Sequence, residues 1–542
     1  MKLWISSAFL VGVLVAAGLN PNLVRSQTSV PSRQPKQEVP AAIALDTAPT
    51  IRNVILVSLD TTRWDALSCY NAPEVNSPNI GAFARKSVVF ENAYAPMPVT
   101  LPSHATMLTG KIPPAHGVLD NGRYSLSADH VTLAEVLKEN GFNTAAFVSA
   151  LVMASKFGLD QGFDTYDDDI AESFVIGERR GDETTTLALE WLAKHKNERN
   201  FLFLHLFDPH APYKAPEPYS SAIKKIYHKY PDYIQDYIAE IAFTDHCFEM
   251  LINKLVDLGL YENSLICVTA DHGESHGEHG ENTHGFFIYT STMRVPMIFK
   301  VPGITNPLRV ADSVGIIDIT PTILSLLGIE FQEKIQGRNL AGYINGKTSL
   351  DSGRNIFTMS LEPRKYGGDS LFGIIVSNFQ YIHTTRPELY DLSRDVYEKN
   401  NLIDIEFQRG EKLRKNLENI LDEGTSAKRN QKFPLDTDTR RRLESLGYVT
   451  TDKVGGGFDL DSKGIDPKDL YAYHNLNLEA LSYLNPKNHA RALVACEDMI
   501  RMRPDFYLGY EMMARVLTAS GEQERAAPFV QKANALSPKG PN

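Results

Sequence analysis

Three short stretches of this chain bring together acids and histidines of the kind that hold divalent metals. "VSLDTTRWD" leaves Asp60 and Thr61 just past an apolar run, and "HLFDPHAPY" places Asp208 and His210 after another. "VTADHGESHGEHGENTHG" places Asp271 and His272 after a third, followed by His276, His279 and His284 in a glycine-rich loop. A lone Asp after a strand can be no more than a helix cap. Asp-His-Gly with further histidines asks for more: carboxylate and imidazole ligands suit a divalent cation, and neighbouring glycines let the backbone approach closely. A fourth stretch, "MPVTLPSHATMLTG", supplies a hydroxyl. If a helix runs from Ser103 to Gly110, Thr100 lies next to its amino end, where unpaired N–H groups and the dipole favour an anion. Beside a metal, whose charge lowers a hydroxyl pKa, that threonine could act as a nucleophile; the same residue reads equally well as a simple N-cap.

The elements that must position these groups are visible as a change of pattern. "NVILVSL", "TAAFVSA", "FLFLHLF" and "LICVTA" are short apolar runs without alternation, as strands covered on both faces of a parallel sheet should be. Helical stretches alternate with them, among them "TLAEVLKEN" (Thr132 to Asn140), closed by Gly141, and a long one from Ile238 to Gly259. The expectation is an α/β sandwich with a mostly parallel central sheet and ligands at the carboxyl ends of its strands. After about Arg354, "LFGIIVSNFQYIH" and "PELYDL" suggest a small antiparallel sheet packed on the main one.

The ends of the chain read differently. Residues 1–26 hold a lysine, an apolar run from Leu3 to Leu19 and then small and polar residues. That is the layout of a secretory signal, with cleavage after Gly18 or Ser26, or of an uncleaved N-terminal membrane anchor; either way the protein is expected to be secreted or periplasmic. Residues 27–51 read as a disordered tether, 52–352 as the catalytic domain, 353–450 as the subdomain with the small sheet and helices, and 451–467 as a linker. In 468–542, "ARALVACEDMIRMRPD" and "ERAAPFVQKANALSPK" superimpose at an offset of 34 residues, the tetratricopeptide period, with Ala492 on Ala526 and Pro504 on Pro538. Two repeats are few, so they are expected to lean on the catalytic domain or on a protein partner; a plain pair of helical hairpins is the alternative. The net charge of −11 argues against nucleic acid but not against a small anionic ester, because a metal supplies positive charge locally. Cys69, Cys247, Cys267 and Cys496 show neither zinc nor redox spacing and read as buried thiols with at most one disulfide.

From about Asn53 to Leu402 the chain resembles the bacterial sulfatase-like hydrolases of the alkaline phosphatase superfamily. The resemblance rests on "VSLDTTRWDALSCY", "PVTLPSHATMLTG", "GFNTAAFVSA", "GLDQGFDTYDD", "HLFDPHAPY", "TADHGESHGEHG", "RVPMIFKVPG", "IIDITPTILSLLG" and "LYDLSRDVYEKNNL", all in family order. It implies that Asp60, Asp271 and His272 ligate a metal which Thr100, in the nucleophile's position, also touches. It implies that Asn121 holds a nonbridging oxygen, as in phosphodiesterase relatives. By the same resemblance His210 and His284 contact the substrate anion, with His104 at the substrate's edge and His276 and His279 as supporting groups.

The departures from the family pattern bear on the reaction. Sulfatases proper carry C-x-P-S-R, whose Cys becomes formylglycine; here the residues are Thr100, Leu101, Pro102, Ser103 and His104. An oxidised threonine is a ketone, so release of sulfate by collapse of a hemiacetal is closed to it. The Gly-Lys-Trp-His segment is replaced by "FVSALVMASKFG", and Thr61 stands where a second acid would follow Asp60. Three protein ligands besides the nucleophile resemble the manganese or zinc sites of phosphoryl-transfer relatives more than the calcium site of sulfatases. The expectation is therefore an exported, metal-dependent (Mn, Zn or Ca) hydrolase of phosphate-type mono- or diesters acting through Thr100, His210 or His284 and Asn121. The alternatives are a sulfuric ester hydrolase without formylglycine, and a degenerate site kept as a scaffold that recruits a partner through the repeats. Because every matched residue precedes Leu402, the tail is expected to be dispensable for chemistry.

Overall fold

The apolar runs form strands whose side chains alternate between two cores. The computed structural model describes residues 50–170, 178–346, 353–424, 439–440, 442–443 and, apart from 459, 462, 463 and 485, residues 458–537. The run of Leu3 to Leu19 lies outside them, as do the tether up to residue 49 and much of the linker; among the described residues no helix is long and apolar enough to cross a membrane. Eight strands make the main sheet: β1 (Asn53–Leu59), β2 (Val88–Tyr94), β3 (Asn143–Phe147), β4 (Thr165–Asp167), β5 (Asn200–Leu206), β6 (Ser264–Thr269), β7 (Arg294–Lys300) and β8 (Leu308–Gly315). Their order is β4-β3-β5-β1-β6-β7-β2-β8. Neighbours pair in parallel except around β7, which runs antiparallel to both β6 and β2.

In β1, Val54 and Leu56 join one core while Ile55, Val57 and Leu59 join the other. In β5, Phe201 and Phe203 oppose Leu202, Leu204 and Leu206 in the same way. Burial on both faces is what removed the polar alternation from these sequences. One face is covered by α1 (Thr100–Thr109) among others, the second by α2 (Gly181–Lys194) and α3 (Asp232–Asp257). The α3 helix begins earlier than its apolar pattern suggested, because Pro231 fits the position before the first turn. Register puts the chemistry at one level: Ser58 pairs with Thr269 on β6 and with His205 on β5, so Asp60 and Asp271, each two residues further on, leave their strands side by side.

The smaller sheet is antiparallel, with β9 (Ile356–Ser360), β10 (Leu371–Val376), β11 (Phe379–His383) and β12 (Glu388–Asp391) in the order β12-β11-β10-β9. Ser377 and Asn378, both at positive φ (48° and 67°), close the β10–β11 hairpin with the twist such a two-residue turn requires. Leu413, Leu417 and Leu421 of α4 (Phe407–Gly424) pack on this sheet. Four α-helices follow among the described residues: α5 (Pro467–Leu481), α6 (His489–Met502), α7 (Tyr507–Ala519) and α8 (Gln523–Leu536). Ala492 and Ala526, which superimpose in the sequence, are both buried. No break in the core separates this helical region from the rest: Leu470, Met499 and Leu517 belong to the cluster that contains Val54, Phe286 and Tyr366. All four cysteines are free thiols, so the single disulfide allowed by the sequence is not formed.

Gly162 shows how tightly the connections are packed. Its φ is +85°, and a Cβ there would lie 2.2 Å from the backbone nitrogen of Glu135. Gly162→Ala is expected to lower the melting temperature by about 2–4 °C, from strain and a backbone clash. A scan showing an unchanged midpoint would mean that this loop yields freely.

Candidate active site and metal centre

The carboxyl ends of β1 and β6 deliver two carboxylates into the protein interior. Asp60 and Asp271 are both fully buried, and so is His272. Their potential ligand atoms lie within 4.8 Å of one another. Asp60 receives one hydrogen bond from His205 at its Oδ2 (3.0 Å), and its Oδ1 has no partner. Asp271 Oδ1 accepts from the backbone N–H of His272 (2.8 Å) and of Thr61 (3.2 Å), and its Oδ2 is unsatisfied. Leaving buried carboxylate oxygens unpaired costs a fold several kcal/mol, of the order of the penalty for a desolvated charge. The two residues that carry these open oxygens form one cluster with the ring of His272.

The histidines around them are set in defined tautomers. His272 Nδ1 donates to the carbonyl of Gly273 (2.9 Å), which leaves its Nε2 as an acceptor 3.4 Å from Asp271 Oδ2 and 3.5 Å from Thr100 Oγ1. His205 Nδ1 accepts the N–H of Ser149 (3.4 Å), so its Nε2–H donates to Asp60. Burial, aided by the nearby His104 ring, holds the His205 pKa well below the usual range, in keeping with a neutral ring. Burial would raise the Asp271 carboxyl, but His272, His104 and His205 outweigh it and hold it below the ordinary value. Asp60 is pushed up by burial and by the neighbouring Asp271 charge. Two buried carboxylates so close favour opposite protonation states until a cation lies between them. The donor set (two orphaned carboxylate oxygens and a bare imidazole nitrogen) therefore fits a divalent metal ion.

Thr100 is the first residue of α1, not a residue ahead of it, and the N-cap is Val99. Pro102 fits inside this first turn because no intrahelical partner is needed for its missing N–H. The amide of Asn121 adds a donor: its Oδ1 accepts the orphan N–H of Leu101 (2.8 Å), while its buried Nδ2 has no partner. Asn121 thus leaves a buried donor without a partner at the start of α1, where Thr100 Oγ1 meets His272. His210 and His284 have rings 4.9 Å apart, and His284 lies 4.5 Å from His272. Both are tethered through Nδ1, His210 to the carbonyl of Ala211 (2.6 Å) and His284 to Glu274 (3.0 Å).

Some expected residues fall elsewhere. His104 is fully buried beneath the site, with Nδ1 donating to the carbonyl of Thr100 (2.9 Å) and Nε2 bonded to Ser58 Oγ (2.8 Å). Both nitrogens are spent on the protein, so this ring supports the first turn of α1 where the sequence suggested a substrate contact. His279 stacks on Tyr289 (3.6 Å) and reaches the carbonyl of Tyr397, away from the carboxylates. His276 packs edge-on against Tyr237 (4.6 Å) with both ring nitrogens buried and unpartnered. Thr61 adopts a left-handed φ of 49°, held by its N–H on Asp271 and by the Tyr237 hydroxyl donating to its carbonyl (3.0 Å). A β-branched residue in that region is strained, and such strain collects at functional sites.

Sequence reasoning missed His205, Ser58 and Glu274. His205 was hidden inside "FLFLHLF"; an imidazole in an otherwise apolar central strand was the available signal. Glu274 is fully buried, accepting from His284 and from the Tyr213 hydroxyl (3.1 Å).

A doubly covered, mostly parallel sheet with a metal-type cluster and a hydroxyl at a helix start at its carboxyl edge defines a class of α/β hydrolase. The chain belongs to the sulfatase family: the family model "Sulfatase" matches residues 52–329, and that of the N-sulphoglucosamine sulphohydrolase C-terminal region matches 277–426. It is thereby an ester hydrolase of a superfamily that acts on sulfuric and phosphoric esters. It is 28% identical over 405 residues to the ulvan-active sulfatase of Formosa agariphila, covering 66% of this chain and 78% of that protein. With the N-acetylglucosamine-6-O-sulfatase of Bacteroides thetaiotaomicron it shares 24% identity over 484 residues, 68% of this chain and 86% of the other. Among solved structures, the phosphonate monoester hydrolase of Agrobacterium radiobacter superimposes with a TM-score of 0.59 at 19% identity, over 69% of this chain and 96% of that one.

Stripping the protein with a chelator and then titrating Mn²⁺, Zn²⁺ or Ca²⁺ should raise its melting temperature. An ion at a hundred times its Kd stabilises by about 2.7 kcal/mol. Asp271→Asn should lose most of that shift while remaining folded. An equal shift in Asp271→Asn would place the ion elsewhere.

Proposed function

We propose that this chain is an exported, metal-dependent hydrolase of small anionic esters in which Thr100 is the attacking group. The observation that supports it most is the placement of the Thr100 hydroxyl at the start of α1, 3.5 Å from Nε2 of His272, which itself clusters with Asp60 and Asp271. A divalent ion bound by Asp60, Asp271 and His272 would supply the positive charge that lowers the hydroxyl pKa and draws the substrate anion. Thr100 Oγ1 then bonds to the sulfur or phosphorus as the bond to the leaving oxygen breaks, and water cleaves the resulting ester of Thr100. Asn121 Nδ2 and the α1 amino end donate to the nonbridging oxygens. His210 or His284, whose N–H at Nδ1 is already engaged, takes up at Nε2 the proton released by Thr100 and passes it to the leaving oxygen. His104 and His205 act underneath, holding the Thr100 carbonyl and the Asp60 carboxylate in place.

The relatives favour a sulfuric ester as the substrate, since those at 28% and 24% identity are named sulfatases. The phosphate-type ester expected from the sequence becomes the second reading, and a specific residue favours it: a threonine cannot give the aldehyde of formylglycine, whereas its hydroxyl can carry a phosphoryl group. A scaffold without activity fits poorly with unpaired carboxylate oxygens kept fully buried. The residues that superimpose at 34-residue spacing, with Ala492 and Ala526 buried alike, support a tetratricopeptide-like arrangement of α6 to α8 that offers a surface to a protein partner.

A panel of aryl sulfates, phosphate mono- and diesters and phosphonates under several divalent ions decides the ester. On the best substrate Thr100→Ser should keep substantial turnover, and Thr100→Ala should lose about a thousandfold or more, roughly 4 kcal/mol of barrier. Acid quench during turnover should leave a sulfo or phospho group on the peptide containing Thr100. Near-parental activity in Thr100→Ala would remove the nucleophile from this account.

A further inference from the structure

The loop that carries His284 is held by the C-terminal helices. Its backbone turns at Gly280 and Gly285, both at positive φ (85° and 105°), and Glu281 folds back to accept the N–H of Phe286 (2.9 Å). Against it lies α5, the first C-terminal helix. Tyr471 accepts the N–H of Asn282 on its hydroxyl at 2.9 Å, and its ring packs on Phe286 and Phe287 with centroids 5.3 and 5.1 Å away. One turn further on, His474 covers Phe286 at 4.8 Å and bonds through Nδ1 to the Tyr366 hydroxyl (2.8 Å). The contacts of Tyr471 thus fall on both sides of His284, at residue 282 before it and at residues 286 and 287 after it.

The helix is itself fixed to the catalytic body. Asp466, its N-cap, accepts from the backbone of Arg386 (3.0 Å) and from the Thr385 hydroxyl (2.9 Å), and Lys468 reaches Glu388 at 2.6 Å. Asp369 donates its N–H to the carbonyl of Ile465 (3.0 Å). Gly368 sits so close that a Cβ there would lie 2.3 Å from Leu470 Cδ1. Charged hydrogen bonds at the helix start and aromatic packing along its first turns fix α5 in register with the loop.

From this we infer that Tyr471 is a positioning residue of the active site: α5 braces the backbone on either side of His284 and so sets where that ring meets the substrate. The inference rests on the role given to His284 in the proposed reaction. It runs against the expectation that the tail is dispensable, because truncation just ahead of α5 would take away the contacts of Tyr471 with Phe286, Phe287 and the Asn282 N–H.

The full chain with Tyr471→Phe tests it, since only the hydroxyl is lost. Hydrogen exchange should quicken at residues 282–287 and little elsewhere. On the aryl ester turned over best, kcat should fall about fivefold, the order expected for one lost hydrogen bond, with KM changed less than about twofold. Tyr471→Ala should lower kcat further. Leu517→Ala, which empties the core of α7, controls for loss of stability alone and should leave exchange at 282–287 as in the parent. Unchanged exchange at 282–287 in Tyr471→Phe overturns the brace, as does an equal fall in kcat for Leu517→Ala. Faster exchange there with unchanged kcat keeps the brace and overturns the part given to His284 in the reaction.

Discussion

Two carboxylates taken out of water side by side set the terms for everything around them. Asp60 and Asp271 each keep one oxygen with no partner in a fully buried place. At an effective dielectric of about 20, two like charges 4 Å apart repel by about 4 kcal/mol, which a fold must offset or relieve. The protein offsets part of it with the neighbouring rings: His205 on Asp60, and His272 and His104 near Asp271. They hold the Asp271 carboxyl below its ordinary value but leave Asp60 pushed up, so the pair favours opposite protonation states. The remaining imbalance is what a divalent cation would remove, and the donor atoms left open are of the right kind for one.

The surroundings follow from that constraint. The register of β1 with β5 and β6 brings the two acids level. The left-handed Thr61 lets one more N–H reach Asp271, at the cost of backbone strain. Asn121 satisfies the first turn of α1 with its oxygen and leaves its buried NH₂ as a donor without a partner. Carbonyls at Gly273 and Ala211 and the carboxylate of Glu274 fix the tautomers of His272, His210 and His284. The floor of the site is made of the sheet, and one of its walls is held from outside by α5. The contact between Asn282 and Tyr471 joins residues 189 positions apart in the chain.

Much of this was legible in the sequence because burial on both faces writes itself as unbroken apolar runs, and because Asp60, His210, Asp271 and His272 fall directly after such runs. Thr100 was legible from the helix that follows it, although the helix starts at Thr100 itself, since Pro102 is tolerated in a first turn. His205 was not, because its neighbours on both sides are apolar and the pattern hides one polar residue among them. His104 was misplaced because spacing shows that a residue is near a site but not whether it lies above or below it. The seating of α5 was invisible for a related reason: Tyr471 and Phe286 read as ordinary aromatic core positions, and only the folded chain shows that they meet beside His284.

Anomalous X-ray diffraction from crystals of the chelator-stripped protein soaked in Mn²⁺ tests the central claim most directly. The account predicts one strong peak bounded by Asp60 Oδ1, Asp271 Oδ2 and His272 Nε2, with oxygen ligands at about 2.1–2.3 Å and Thr100 Oγ1 next to it. A fully occupied ion elsewhere with this position empty, or no ordered ion at saturating Mn²⁺, would contradict it.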